Sequence, residues 1–295
     1  MAALGNVRIG ISGWTYKPWR GVFYPAELPR NRELAYAASA FGSIEINGTF
    51  YSLQRPGNFA GWAAQTPDTF VFAIKGPRYI THLRRLKKIE GPLANFFASG
   101  ALRLGAKLGP LLWQFPPHFR FDPGRLESFF ALLPRDTEAA AALARRHDGW
   151  MSDRAWTETA ASRPLRHAME IRHPSFATPA FIDLLRAHGI ALVCADAVEW
   201  PRLMDLTADF VYCRLHGSEV LYTSGYDDEA LDRWAARVAA WARGEEPRDA
   251  ERVIDAPGPC RATRDVFVYF DNDAKVRAPF DARGLDGRVR ELLGK

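Results

Sequence analysis

The chain has 295 residues, 47% hydrophobic and 25% charged, with 39 Lys+Arg against 34 Asp+Glu. That composition suits a folded protein with a large core. No apolar run is long enough to span a bilayer, and a net charge of +5 is too slight to mark a nucleic-acid binder by itself.

The first residues, Met1 to Val7, lack a charged region followed by an apolar stretch, so no secretory signal is read and a cytoplasmic protein is expected. Cys194, Cys213 and Cys260 are odd in number and lack metal-like spacing; the first two sit in apolar strand contexts and read as reduced core residues. The densest basic run, Arg84-Arg85-Leu86-Lys87-Lys88, reads as a solvated helix face. A patch for nucleic acid is the sharper alternative. No zinc-finger, helix-turn-helix or RNA-binding signature supports it, so nucleic acid is disfavoured as a partner.

The first strand is Arg8–Ser12, with Ile9 and Ile11 on one face and Gly10 and Ser12 on the other. An aromatic-rich loop follows, from Gly13 to Pro25, then a helix near Asn31–Phe41 with Asn31 as a candidate cap. The second strand, Ser43–Asn47, sets Ile44 and Ile46 against Glu45 and Asn47; Thr49 and Tyr51 extend the polar face if the extended run persists. A helix near Pro56–Gln65 leads to the third strand, Phe70–Lys75, whose Lys75 emerges on the face of Val71 and Ala73. Gly76-Pro77 breaks it, and Tyr79-Ile80-Thr81-His82 opens the next helical region. The fourth strand, Leu111–Phe115, carries Gln114 near its end. Helices are expected over Gly124–Leu133 and from Asp136 to about His147, and the span Pro134–Arg163 reads as an inserted helical excursion too short to hold its own core.

The fifth strand is the most telling. In Ala168-Met169-Glu170-Ile171-Arg172, Met169 and Ile171 share one face while Glu170 and Arg172 share the other with Ala168. A carboxylate beside a guanidinium does not belong in an oily layer, because buried charges need partners. His173-Pro174 ends the ladder. A helix near Pro179–His188 stops at Gly189, before a sixth strand at Ile190–Ala195 that ends at Asp196. The seventh, Phe210–Gly217, separates Val211, Cys213 and Leu215 from Tyr212, Arg214 and His216. An amphipathic helix near Asp228–Arg243, a last strand at Val266–Phe270 and a short terminal helix complete the chain.

Eight strands with helical sequence between most of them predict a single TIM-type (β/α)8 barrel over residues 1–295. A doubly wound open sheet is the runner-up, without the glycine-rich turn or switch point it needs for a nucleotide. Catalytic groups of such a barrel lie at the C-terminal ends of the strands. Those ends collect Ser12, Glu45, Asn47, Lys75, Gln114, Glu170, Arg172, Asp196, Arg214, His216 and either Asn272 or Asp273. Any single member reads equally as part of an ion pair filling the mouth. The ring as a whole points to a site, since so many desolvated polar groups cost stability.

Several strings also resemble a known family. They are Ile9–Tyr16, Trp19–Pro25, Glu45-Ile46-Asn47-Gly48-Thr49-Phe50-Tyr51, Thr81-His82, Leu108–Pro117, Glu170-Ile171-Arg172-His173-Pro174-Ser175, Tyr212–Gly217 and Tyr269–Asp273 with Ala278-Pro279. Together they resemble domain of unknown function 72 (DUF 72, YecE-like), which often has serine at Gly48 and asparagine at Asp271. The resemblance implies a TIM-type barrel and supplies no reaction.

The first functional expectation is an enzyme, a hydrolase, lyase or isomerase, using acid/base chemistry on a polar, anionic small molecule such as a sugar phosphate. Glu170 and Glu45 are its candidate acid and base and His216 its proton shuttle. Arg172, Arg214, Lys75, Asn47, Gln114, Trp14, Tyr51, His82 and Asn272 form the expected ligand-binding set. Gln114 and the Arg214/His216 pair replace the carboxylates that the commonest barrel glycosidases use. The second expectation is a divalent-metal isomerase or phosphodiesterase with donors among Glu45, Glu170, Asp196, His216 and Asp273; the third is a non-catalytic binding barrel. No cofactor is predicted beyond that possible divalent metal.

Overall fold

Both faces of every strand are covered, which is what a barrel inside a ring of helices demands. The computed structural model describes residues 3–217 and 219–294. Its strands are β1 (Val7–Ser12), β2 (Ser43–Ile46), β3 (Val71–Lys75), β4 (Leu108–Gln114), β5 (His167–Glu170), β6 (Ala191–Asp196), β7 (Phe210–Leu215) and β8 (Asp265–Phe270). All pair in parallel and in sequence order, and β8 closes on β1. This is the TIM-type α/β barrel that the alternation predicts.

The outward residues Ile9, Ile11, Ile44, Ile46, Phe72, Ile74, Met169, Val211, Cys213, Val266 and Val268 pack under the helices. The inward face is lopsided. Ala73, Ala168, Ala191 and Ala195 line one side, while Phe210, Tyr212, Phe267 and Tyr269 fill the other. Small residues on three strands therefore leave room for large side chains reaching across from β7 and β8.

The helices are α1 (Glu33–Ala40), α2 (Gly48–Tyr51), α3 (Pro56–Ala64), α4 (Glu90–Ala98), α5 (Pro123–Leu132), α6 (Thr137–Ala144), α7 (Pro179–His188), α8 (Asp228–Ala242) and α9 (Ala278–Leu293). Asp122, Asp136, Thr178 and Asp227 cap α5, α6, α7 and α8 through side-chain oxygens. Asn31 caps nothing: it lies in a 3-10 turn, Arg30–Arg32, that precedes α1. Within the excursion, α6 packs on α4, and Asp136 bridges back to Pro164. Among the described residues, no helix is long and apolar enough to cross a membrane.

Two further local expectations change. Arg84–Lys88 is not a helix face: Arg85, Leu86 and Lys88 have φ of 49°, 64° and 51°, so the run is a tight left-handed turn after a π-helical segment at Tyr79–Leu83. The extended run after β2 stops at Asn47, because α2 begins at Gly48; Thr49 turns inward to donate to the Lys75 carbonyl at 2.7 Å and Tyr51 is left exposed. No helix joins β6 to β7. The segment 197–209 instead locks onto the loop after α8, with both oxygens of Asp205 accepting from the backbone N–H groups of Val253 and Ile254.

β1 and β2 approach closely. Gly10 pairs with Ser43, and a Cβ at position 10 would overlap the Ser43 carbonyl oxygen. Gly10→Ala is therefore expected to destabilise the fold by about 2 kcal/mol or more, as overpacking in a closed core does, and a urea unfolding curve measures it. Gly57→Ala, where the new Cβ meets open space, is the control.

Candidate active site at the barrel mouth

The inward parity of β2, β5 and β7 brings Glu45, Glu170, Arg214 and His216 together at the C-terminal end of the barrel, and all four are fully buried. Arg214 is the centre. Its Nε and Nη2 donate to the two oxygens of Glu45 at 3.1 and 2.9 Å, and Nη1 donates to Glu170 Oε2 at 2.7 Å. Nη2 also reaches Asp271 Oδ2 at 2.8 Å and Ser12 Oγ at 3.1 Å. Ser12 donates to Glu45 and accepts from Asn47 Nδ2, and the Tyr212 hydroxyl donates to Glu45 Oε2 at 2.5 Å.

Burial opposes ionisation of Glu170, but Arg214 and then Arg172 outweigh it and hold the carboxyl well below its usual range. Burial likewise opposes the charge of Asp271, and Arg214 with His216 overcomes it. Burial first, then Arg214, pushes His216 down, so its imidazole is neutral. Its Nε2 lies 3.4 Å from Arg214 Nη1 and its Nδ1 lies 3.2 Å from Asp271 Oδ2. The first contact needs an acceptor, which assigns the proton to Nδ1; the Nδ1 contact is close in distance but poorly aligned as a hydrogen bond. Trp200 and Tyr222 pack edge-on against the ring at 5.2 and 5.4 Å.

Above this sealed layer opens a cavity of about 630 Å³. Lys75, Arg78, Arg172, Gln114, His82 and Asn47 line it together with Tyr16, Tyr51, Tyr222, Asp271 and Asp273. Arg172 lies just beyond β5. It donates from Nε to Glu170 Oε1 at 2.8 Å, pairs through Nη2 with the same oxygen at 2.7 Å, and stacks 3.6 Å over the Trp200 ring. Burial, then Arg172 and Lys75, lowers His82 to about 4, so it too is neutral at physiological pH. Asp273 is displaced the other way. Burial and the neighbouring Asp271 charge raise it to about 6.

Expected residues outside this mouth are Trp14, Asn272 and Asp196. Trp14 sits in a neighbouring shallow pocket, edge-on to Trp62 at 5.4 Å. Asn272 is buried behind the mouth, its amide donating to the Ser224 carbonyl and to Asp281. Asp196 turns outward to Arg202 and Trp234 because its parity is that of Leu192 and Cys194. Asp271 is the member the sequence reading passed over. The signal was present: it continues the inward series Phe267, Tyr269 one step beyond β8. The donors weighed for a divalent ion do not converge. Among the described residues no group of three or more His, Cys, Asp or Glu side chains is placed to hold one, and the buried carboxylates face arginines.

Removing Arg214 takes from Glu45 its ion-pair partner and leaves Glu170 only Arg172. Arg214→Met is therefore expected to cost about 3–5 kcal/mol, read from chemical denaturation. The acid response has a definite sign. Glu170 and Asp271 titrate lower folded than unfolded, so their stabilisation is complete above the unfolded carboxylate range near about 4 and is lost as pH falls below it. The urea midpoint should drop steeply between about pH 4 and pH 2, and less so in Glu170→Gln.

Comparison with known proteins agrees with this architecture. The family model described as "Protein of unknown function DUF72" matches residues 8–294. The UPF0759 protein YunF of Bacillus subtilis is 28% identical over 118 residues, 38% of this chain and 41% of that protein. The UPF0759 protein YecE of Escherichia coli K12 is 29% identical over 125 residues, 37% of this chain and 43% of that protein. The matched stretch thus spans about two fifths of either curated relative. Among solved structures, a DUF72 family protein from Thermotoga maritima superposes with a TM-score of 0.73 at 23% identity, covering 98% of this chain and all of that one. A DUF72 family protein from Enterococcus faecalis gives 0.68 at 16% identity, covering 96% and 95%. The match along nearly the whole chain makes this protein a member of the DUF72 family.

Proposed function

We propose that the protein is an enzyme that moves protons on a small anionic molecule bound in the barrel mouth. One observation carries this reading. Asp273, a carboxyl held near neutrality, lines the same cavity as the cations Lys75, Arg78 and Arg172. A general base works best when it titrates near the operating pH. Permanent guanidinium charge is the usual means of holding a carboxylate or phosphate.

The division of labour differs from the one expected from strand ends alone. Glu45 and Glu170 are sealed under the cavity floor and committed to arginines. A carboxylate held ionised by Arg214 and Arg172 is a poor proton carrier at neutral pH. These residues, with His216, hold the floor and fix Arg172 over Trp200. Proton transfer falls instead to Asp273, and anion binding to Arg172 and Arg78. Gln114 and Asn47 supply neutral polar contacts at the rim. The metal-dependent alternative lacks a donor set in this arrangement, so no step is routed through an ion.

Proton exchange gives the test. Sugar phosphates and small hydroxy- and keto-acids are incubated with the protein in heavy water, and loss of C–H signal is followed by NMR. Deuterium uptake by one of them is expected, with a rate that rises with pH through about 6. Asp273→Asn should remove that limb and lower the rate about 100-fold or more. The folded value of Asp273 lies above its unfolded one. The stability carried by its neutral form is therefore complete below about 4 and lost as pH rises through about 6. Asp273→Asn should accordingly raise the urea midpoint at pH 8. Binding of anions without exchange of any would replace the enzyme with a binding barrel.

A further inference from the structure

Among the described residues, Lys75 is a mouth cation that the buried network leaves uncommitted, and the only lysine that lines the mouth cavity. It sits at the C-terminal end of β3, turned inward with Ala73, and lines the mouth cavity. Among the described residues its ammonium forms no ion pair within 4.0 Å and no hydrogen bond. Glu45 and Glu170 lie in the layer beneath with both oxygens of each taken by Arg214 and Arg172, and Asp271, at the cavity wall, gives Oδ2 to Arg214. The Phe50 ring covers the amine from one side at 4.4 Å.

The composition sharpens the contrast. Only seven of the 39 Lys+Arg residues are lysines. Lys17, Lys87, Lys88 and Lys275 are exposed, and Lys107 is committed to the carbonyls of Ala63 and Thr66 at 2.7 Å each. Arginine cannot lose its proton in a protein, whereas a desolvated lysine can, and that is how lysines become nucleophiles.

We propose that Lys75 captures the carbonyl of a small anionic aldehyde or ketone as an imine; this rests on the reading of the mouth as an anion-binding acid/base site. The free amine's electron pair forms a bond to the carbonyl carbon, and the carbonyl oxygen takes up the proton that the nitrogen gives up. The resulting hydroxyl leaves as water, with a proton supplied by the Asp273 carboxyl. The nitrogen pair completes the C=N bond, and the imine nitrogen stays protonated. Nothing is oxidised or reduced. The cationic imine acidifies the neighbouring C–H, which the Asp273 carboxylate then removes. Arg172 and Arg78 hold the substrate's anionic group. Burial, then the Arg214 charge, lowers the Lys75 amine to about 8, so roughly a tenth of it is free at pH 7.

The test traps the imine on the full chain. Glyoxylate and cyanoborohydride are added at pH 7.5, and modified lysines are located by peptide mass spectrometry, with and without inorganic phosphate. Lys75 should be labelled on the order of a hundredfold faster than Lys17, Lys87, Lys88 and Lys275, following its larger free-amine fraction, and phosphate should slow it. Lys75→Arg, checked for folding by circular dichroism, should lose the fast label while still binding phosphate by calorimetry. Phosphate binding with labelling no faster at Lys75 than at the exposed lysines overturns the imine and leaves the anion site standing. Fast labelling at Lys75 that phosphate does not slow keeps the imine and removes the anion-binding reading. Neither binding nor fast labelling overturns both.

Discussion

A single guanidinium spans the top of the barrel. Arg214 reaches from β7 to Glu45 on β2, to Glu170 on β5 and to Asp271 after β8. Each of these charges would be too costly to bury alone; together they satisfy one another's hydrogen-bonding capacity. The arrangement depends on register. Ser12 pairs with Glu45, Gln114 with Glu170, and Arg214 with both Ala195 and Tyr269, so the charged ends fall in one layer. It also depends on size, because the alanines on β3, β5 and β6 leave the space that the Arg214 side chain occupies.

The layer divides the polar residues of the mouth into two populations. Beneath the cavity floor, charge is neutralised internally, and Arg214 and Arg172 hold Glu170 ionised. Above it, burial raises Asp273 to about 6 and lowers Lys75 to about 8, so both titrate nearer neutrality. Asp271 and Asp273 show the division most sharply. They are two residues apart, yet Arg214 and His216 hold one far below the carboxylate range while burial and its neighbour's charge raise the other to about 6. Opposite displacement of nearby titratable groups is the pattern by which one site supports acid and base roles at one pH.

The open layer lowers stability, which accords with the proposed site. Lys75 and the ionised form of Asp273 are less favourable folded than in water. Retaining them is intelligible where a ligand supplies the missing partner. The sealed layer offsets this by rigidity: Arg172, clamped on Glu170 and stacked on Trp200, presents its charge from a fixed position.

Period-two alternation and the order of strands and helices were enough to determine the barrel, since each strand's two faces are written in consecutive residues. The pairing of Glu170 with Arg172 was legible for the same reason. Strand ends were harder. One residue of parity separates Asp271 from Asn272, and turns Asp196 outward to Arg202 rather than into the mouth. Tertiary structure alone decided that Arg214 crosses the barrel, that Glu45 and Glu170 are sealed, that Trp14 lies outside the mouth, and that the Lys75 ammonium has no ion pair among the described residues. Those facts depend on distances between residues far apart in the chain and on access to water, and neither is encoded in any local stretch of sequence.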